Sequence, residues 1–141
     1  MNAGVGRSPS VSGMSAELPT SIGRLGLTAF DCPDALALAE FYSSIIGGEI
    51  VPGDDEGWVE LHTSTGRLAF QEIDDHRPPT WPGGERPQQG HIDIDVADLD
   101  GAETAVLRLG ARKADTQPRP DEFRVLIDPA GHPFCLVLAG A

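Results

Sequence analysis

His91-Ile92-Asp93-Ile94-Asp95-Val96-Ala97-Asp98 decides how this chain folds. Apolar and polar residues alternate strictly from His91 to Val96, the pattern of a strand with one buried face. Asp98 or Asp100 then caps a helix that runs through Leu109 and stops at Gly110. The same grammar occurs 64 residues earlier. Leu25 to Cys32 reads as a strand, and Asp34 caps an apolar run from Leu36 to Ile46 that ends at Gly47-Gly48. The offset also pairs Leu27 with His91, Phe70 with Phe134 and Gln71 with Cys135. A constant offset means one supersecondary unit used twice. A doubled unit can enclose a pocket between its halves, and the repeat says which positions face it.

The rest of each half follows the same order, β-α-β-β-β. The first half adds strands at Glu49 to Pro52, Trp58 to Thr63 and Arg67 to Ile73. The second adds Ala111 to Asp115, Phe123 to Ile127 and Phe134 to Leu138. Residues 1–22 read as a tail rich in Gly, Ser and Ala, with no hydrophobic period, and Met14 is a second candidate start. Residues 23–141 form one domain, with a first module at about 24–75, a proline-rich connection at 76–89 and a second module at about 90–139. A patternless connection of this length is either a linker or a lid. Trp81, its one large apolar side chain, either pins it to the surface or covers a pocket.

Composition narrows the partners. The 141 residues carry a net charge of −12, which disfavours nucleic acid and anionic membranes. No apolar run is long enough to cross a bilayer. Two cysteines, Cys32 and Cys135, make no disulfide framework, and the N-terminal stretch has no signal-peptide core. The expectation is a cytoplasmic, reduced protein.

These modules resemble the vicinal oxygen chelate superfamily, which includes glyoxalase I, bleomycin-resistance proteins, fosfomycin-resistance enzymes and extradiol dioxygenases. Three marks carry the resemblance: Glu40-Phe41-Tyr42 with Ile46-Gly47, Gly90-His91-Ile92-Asp93-Ile94, and Asp128-Pro129-Ala130-Gly131-His132-Pro133-Phe134. Phe70-Gln71, Trp81-Pro82 and Phe134-Cys135-Leu136 are most similar to a glyoxalase-like branch common in actinobacteria. The resemblance implies an α+β fold of two tandem βαβββ modules forming a cupped mixed sheet. It also implies a bacterial homodimer. In metal-dependent members four side chains meet in the cup, one from the first and one from the last strand of each module. Those places fall on Leu27, Gln71, His91 and Cys135. Leucine cannot bind a metal, and cysteine stands where a glutamate is expected. The implied site is therefore degenerate, with no metal cofactor. Gln71, His91 and Cys135 could still suit a softer ion such as Zn²⁺ through N and S donors.

Strand alternation sorts the faces. It sends Ile92, Ile94 and Val96 toward the helices, and His91 and Asp93 into the cup. Trp58, Glu60 and His62 follow into the cup from one strand, and Gln71 and Cys135 from two others. The offset maps Glu60 onto Arg124, which adds Arg124 as a partner for Glu60 or a clamp for a substrate carboxylate. The expected site has His91 and Asp93 as an acid–base pair. Trp58, Glu60, His62, Gln71, Trp81, Arg124 and Cys135 hold a small molecule. The first functional expectation is metal-independent lyase or isomerase chemistry on a small metabolite. The alternatives are a sequestering protein of the bleomycin-resistance kind, in which Trp58 and Trp81 stack on a planar ligand, and a metal-dependent glyoxalase or dioxygenase.

Overall fold

The computed structural model describes residues 21–55 and 57–140. Apart from Ser21 and Ile22, the expected tail lies outside the described residues. The first module runs β1 (Thr28–Cys32), α1 (Ala35–Ile46), β2 (Glu49–Pro52), β3 (Trp58–Thr63) and β4 (Gly66–Glu72). The second runs β5 (Ile92–Val96), α2 (Leu99–Arg108), β6 (Arg112–Lys113), β7 (Phe123–Ile127) and β8 (Pro133–Leu138). Each module makes a four-stranded sheet, ordered β1-β4-β3-β2 and β5-β8-β7-β6. In both, the first strand pairs parallel with the last and the remaining pairs are antiparallel. This is the α+β architecture of tandem βαβββ modules, with the mixed sheet in two halves.

The helix starts follow the sequence. The Asp34 side chain accepts from Ala37 N at 3.1 Å, and Asp98, not Asp100, caps α2 by accepting from Gly101 N at 3.2 Å. Such caps satisfy N–H groups that the first turn leaves unpaired. The helices and the helix-facing sides of both sheets share one core. Leu38, Phe41, Tyr42, Leu61 and Phe70 of the first module meet Ile94, Leu126, Phe134 and Leu136 of the second. Phe70 and Phe134, matched by the repeat, are both fully buried. Tyr42 stacks on Phe70 at 5.7 Å between centroids and meets Phe134 edge-on at 5.9 Å. Its hydroxyl donates to Asp128 Oδ2 at 2.6 Å, across the modules. Asp128 is only 4% exposed, and its Oδ1 accepts from the amides of Ala130 and His132. A buried carboxylate tolerates burial when it is satisfied in this way.

The repeat is not held at one offset throughout. Phe30 pairs with Phe70, whereas Ile92 pairs with Phe134. Relative to the last strands, the first strands have slid by two residues, which keeps their faces. Val59 pairs with Phe70 and Leu126 with Phe134, so the third strands correspond 67 positions apart, not 64. The cause is the turn. Ser64-Thr65 joins β3 to β4, while Asp128 to His132 joins β7 to β8. The second turn is longer by three residues, an odd number, and an odd shift exchanges the two faces of a strand.

Candidate functional site

The open face of the second sheet carries the most concentrated chemistry. Asp93 lies opposite Cys135 in the β5–β8 ladder. His91, just before β5, turns its Nε2 to within 3.0 Å of Asp93 Oδ1. The donor atoms of His91, Asp93 and Cys135 all lie within 4.8 Å of one another. The Cys135 side is closed: the residue is 9% exposed. Burial first, and then the neighbouring Asp93 charge and its hydrogen bond, push the thiol up to about 11. At neutral pH Cys135 is thus a protonated donor to Asp93 and not a nucleophile.

The connection roofs this face. Thr80 N donates to Arg86 O at 2.7 Å, and Arg86 N returns to Thr80 Oγ1 at 3.0 Å, which closes the segment into a compact loop. Trp81 packs against the second apolar cluster, made by Ala114, Val125, Ile127 and Cys135 with Phe123 and Val137. Trp81 thus packs the loop onto the sheet and also walls a cavity of about 310 Å³. His91, Asp93 and Cys135 lie along this cavity, and Phe123, Val125 and Val137 belong to its apolar lining. Gln88 also lines it, and its Oε1 is buried with no partner among the described residues. An unmet buried acceptor costs about 1–3 kcal/mol. Alternation in the sequence had no means of finding Gln88, which sits in a loop.

The first sheet carries a second polar group. Trp58 Nε1 donates to Glu60 Oε2 at 3.0 Å, and Glu60 Oε1 lies 2.7 Å from His62 Nε2. The His62 contact, then the Trp58 hydrogen bond, hold the Glu60 carboxyl below its usual range. Gln71 stands exposed across from Trp58. Trp58 and Glu60 wall a depression with Gly53, Asp54 and Asp55. The cavity under Trp81, by contrast, takes its walls from the second module and the connection. The residues expected in one cup thus form two groups.

Arg124 belongs to neither. Its Nη1 lies 2.7 Å from Asp100 Oδ1 and 3.0 Å from Glu103 Oε1, both on α2, and its Nε donates to Pro120 O. The expected pairing with Glu60 does not occur. The turn-length difference explains the error: Arg124 pairs with Leu136 on the helix side, while Val125 pairs with Cys135 on the open side.

The metal positions carried from the superfamily do not assemble as a set. Leu27 has no donor atom, and Gln71 sits in the first-sheet group. The close trio draws Asp93 into the company of His91 and Cys135 instead. These are donor types that zinc accepts, but a thiol ligand must first lose its proton. Burial and the Asp93 carboxylate both oppose that loss.

Comparison with known proteins places this geometry. The sequence model of the glyoxalase-like domain family matches residues 28–137. No curated protein matches with significance. Among solved structures, glyoxalase I of Leishmania major, described as trypanothione-dependent, superposes with a TM-score of 0.60 at 18% identity, covering 82% of this chain and 86% of that one. A glyoxalase/bleomycin resistance protein/dioxygenase family enzyme from Burkholderia phytofirmans gives 0.59 at 14% identity, with coverage of 79% and 94%. Lactoylglutathione lyase from Agrobacterium tumefaciens gives 0.56 at 20% identity, with coverage of 82% and 93%. Likenesses at these identities speak for the fold.

Proposed function

This chain belongs to the glyoxalase-like domain family of the vicinal oxygen chelate superfamily, and on that premise we propose that it is a small-molecule enzyme using His91 and Asp93 for proton transfer. The observation that carries the reading is the 3.0 Å contact between these two side chains at the wall of the Trp81 cavity. With Nε2 turned to the Asp93 carboxylate, which can only accept, Nδ1 is left as the nitrogen free to take a proton. Nδ1 can then take a proton from a carbon acid and return it, with Asp93 holding the ring in place. The buried Cys135 thiol sits beside the same carboxylate, opposite Asp93 in the ladder. Trp81 and Phe123 give the body of the substrate an apolar wall, while His91 and Asp93 stay open to solvent at the edge of the cavity. Isomerisation or lyase chemistry at an activated C–H is the reaction class this supports.

Nuclear magnetic resonance in D₂O tests it. A panel of enolisable 2-oxo and 2-hydroxy acids should include one whose C–H exchanges in the presence of protein. His91→Asn and Asp93→Asn should each slow that exchange by roughly 10²–10⁴, the usual range for a general base. Exchange that survives both changes would discard the reading.

A second reading has its own support. The mostly apolar cavity walled by Trp81 suits a binding or sequestering protein equally well. Variants that keep affinity and lose turnover separate the enzyme from the binder. Mass-spectrometric metal analysis of untagged protein separates both from a metal enzyme. Stoichiometric zinc would make His91, Asp93 and Cys135 its ligands, and the ion would supply Lewis acidity. The homodimer remains part of the proposal, read by analytical ultracentrifugation.

A further inference from the structure

A second cavity adjoins the first. It has a volume of about 550 Å³ and lies between β1, the connection and the β7–β8 turn. Its wall holds Arg77, Arg86, His76, His91 and His132, with Asp31 as the one carboxylate. The chain has only ten Lys and Arg in all, four histidines and a net charge of −12. Two arginines and three of the four histidines therefore gather at one place in an acidic protein.

The arginines are not consumed by structural ion pairs. Arg77 makes no salt bridge among the described residues, and Arg86 meets only the exposed Glu85, at 3.8 Å. His76 donates Nε2–H to Ala130 O at 2.7 Å, and His132 donates Nε2–H to Asp31 O at 2.6 Å. Both rings are thus anchored by one nitrogen, with Nδ1 left over. Gln88 and His91 line this cavity and the one under Trp81 alike. The unmet Gln88 Oε1 therefore belongs to a residue at the junction.

We propose that the two cavities are one binding site for an elongated small molecule with an apolar, ring-bearing body and an anionic end. The body lies under Trp81 beside Phe123. The anionic end, a carboxylate or a phosphate, lies against Arg77 and Arg86, whose guanidinium groups can pair two N–H donors with two oxygens of either. His91 and Gln88 line both cavities, so the middle of the molecule lies beside His91. The inference rests on the cavity reading given above and adds the class of ligand to it.

Calorimetric titration at low salt with three probes that share a phenyl ring tests the assignment. The probes are mandelate, phenyl phosphate and the neutral 1-phenyl-1,2-ethanediol. At least one anion should bind about ten-fold or more tighter than the diol. The tighter of the two anions identifies carboxylate or phosphate as the preferred end. Arg77→Gln, and the double change Arg77→Gln with Arg86→Gln, should progressively close the gap and leave the diol's affinity as it was. The single variant guards against loop disruption, because Arg86 Nε also holds Pro78 O at 3.0 Å. Equal binding of diol and anions, or a gap that survives the double change, would overturn the anionic end while leaving the Trp81 cavity in place. Should no probe bind, or should Trp81→Ala leave all affinities unchanged, the cavity reading falls with it.

Discussion

Cys135 and Asp93 show how much one proton decides at the residue scale. Their partnership runs between strands in adjacent positions of the ladder. The thiol is held up to about 11, against an ordinary value of 9.0. Cys32 reaches about 11 as well, mainly through burial, with its thiol donating to Gln71 O at 3.6 Å. A thiol that ionises near pH 11 instead of 9.0 carries about a hundred-fold less thiolate at pH 8. Iodoacetamide should therefore label the native protein about a hundred-fold more slowly than a cysteine peptide at pH 8, with the rate climbing until about pH 11. Labelling at the peptide's rate would mean that both thiols are open to solvent. The raised values act on stability too. Between pH 9.0 and about 11 the folded state keeps protons that the unfolded chain has lost. Their stabilisation is full below pH 9.0 and disappears as pH rises through about 11. The inward face of His91 and Asp93 could be read from strict alternation. The 3.0 Å contact between them could not, because it depends on how far the chain before β5 turns.

Strand β7 is the element whose faces were misread. Phe123 to Ile127 contains three apolar residues in a row, Val125, Leu126 and Ile127, all buried. A strand buried on both sides has no period-two signal to read. Here one side meets the shared core through Leu126, and the other lies beneath Trp81 through Val125 and Ile127. With no local signal, the repeat offset decided the faces, and the longer β7–β8 turn had already exchanged them. Arg124 and Glu103, each 16% exposed at the side chain, form a partly buried pair that ties β7 to α2. Lys113 joins Glu103 at 3.2 Å from β6. Arg124→Ala should lower unfolding free energy by about 1–3 kcal/mol, between the exposed and buried limits for ion pairs. Urea denaturation measures this, and probe affinity should stay as in the parent protein. Lost affinity with unchanged stability would return Arg124 to the open face.

On the scale of the whole molecule, the two modules are joined by one core and by a hydrogen bond through its middle. Tyr42 belongs to α1 and Asp128 to the β7–β8 turn, 86 positions apart. Burial and the Asp128 charge drive the Tyr42 hydroxyl well above its usual range, so it remains a donor. Tyr42→Phe keeps the ring stack on Phe70 and leaves Asp128 Oδ2 unpaired. It should cost about 1–3 kcal/mol, the penalty for an unmet buried polar group. Thermal unfolding should remain a single transition at a lower midpoint. An unchanged midpoint would mean that water replaces the hydroxyl. His132 adds a second link, from the same turn to the backbone of β1. The long turn that reversed β7 is thus also what fastens the modules together.

Periodicity and the internal repeat, read from sequence alone, determined the element order, the Asp34 cap and the inward faces of β3 and β5, and the motifs carried the resemblance to the superfamily. These are local properties, set by side-chain spacing along a few residues. Three things waited for tertiary structure. Arg124 was assigned by a turn length, Gln88 by the path of a loop, and the separation of Trp58, Glu60 and His62 from His91 by the packing of two sheets. Each depends on where distant segments meet, and residue spacing carries no record of that. The 64-residue offset marks a duplication, while the departures from it, two residues at the first strand and three at the last turn, decide which side chains share a site.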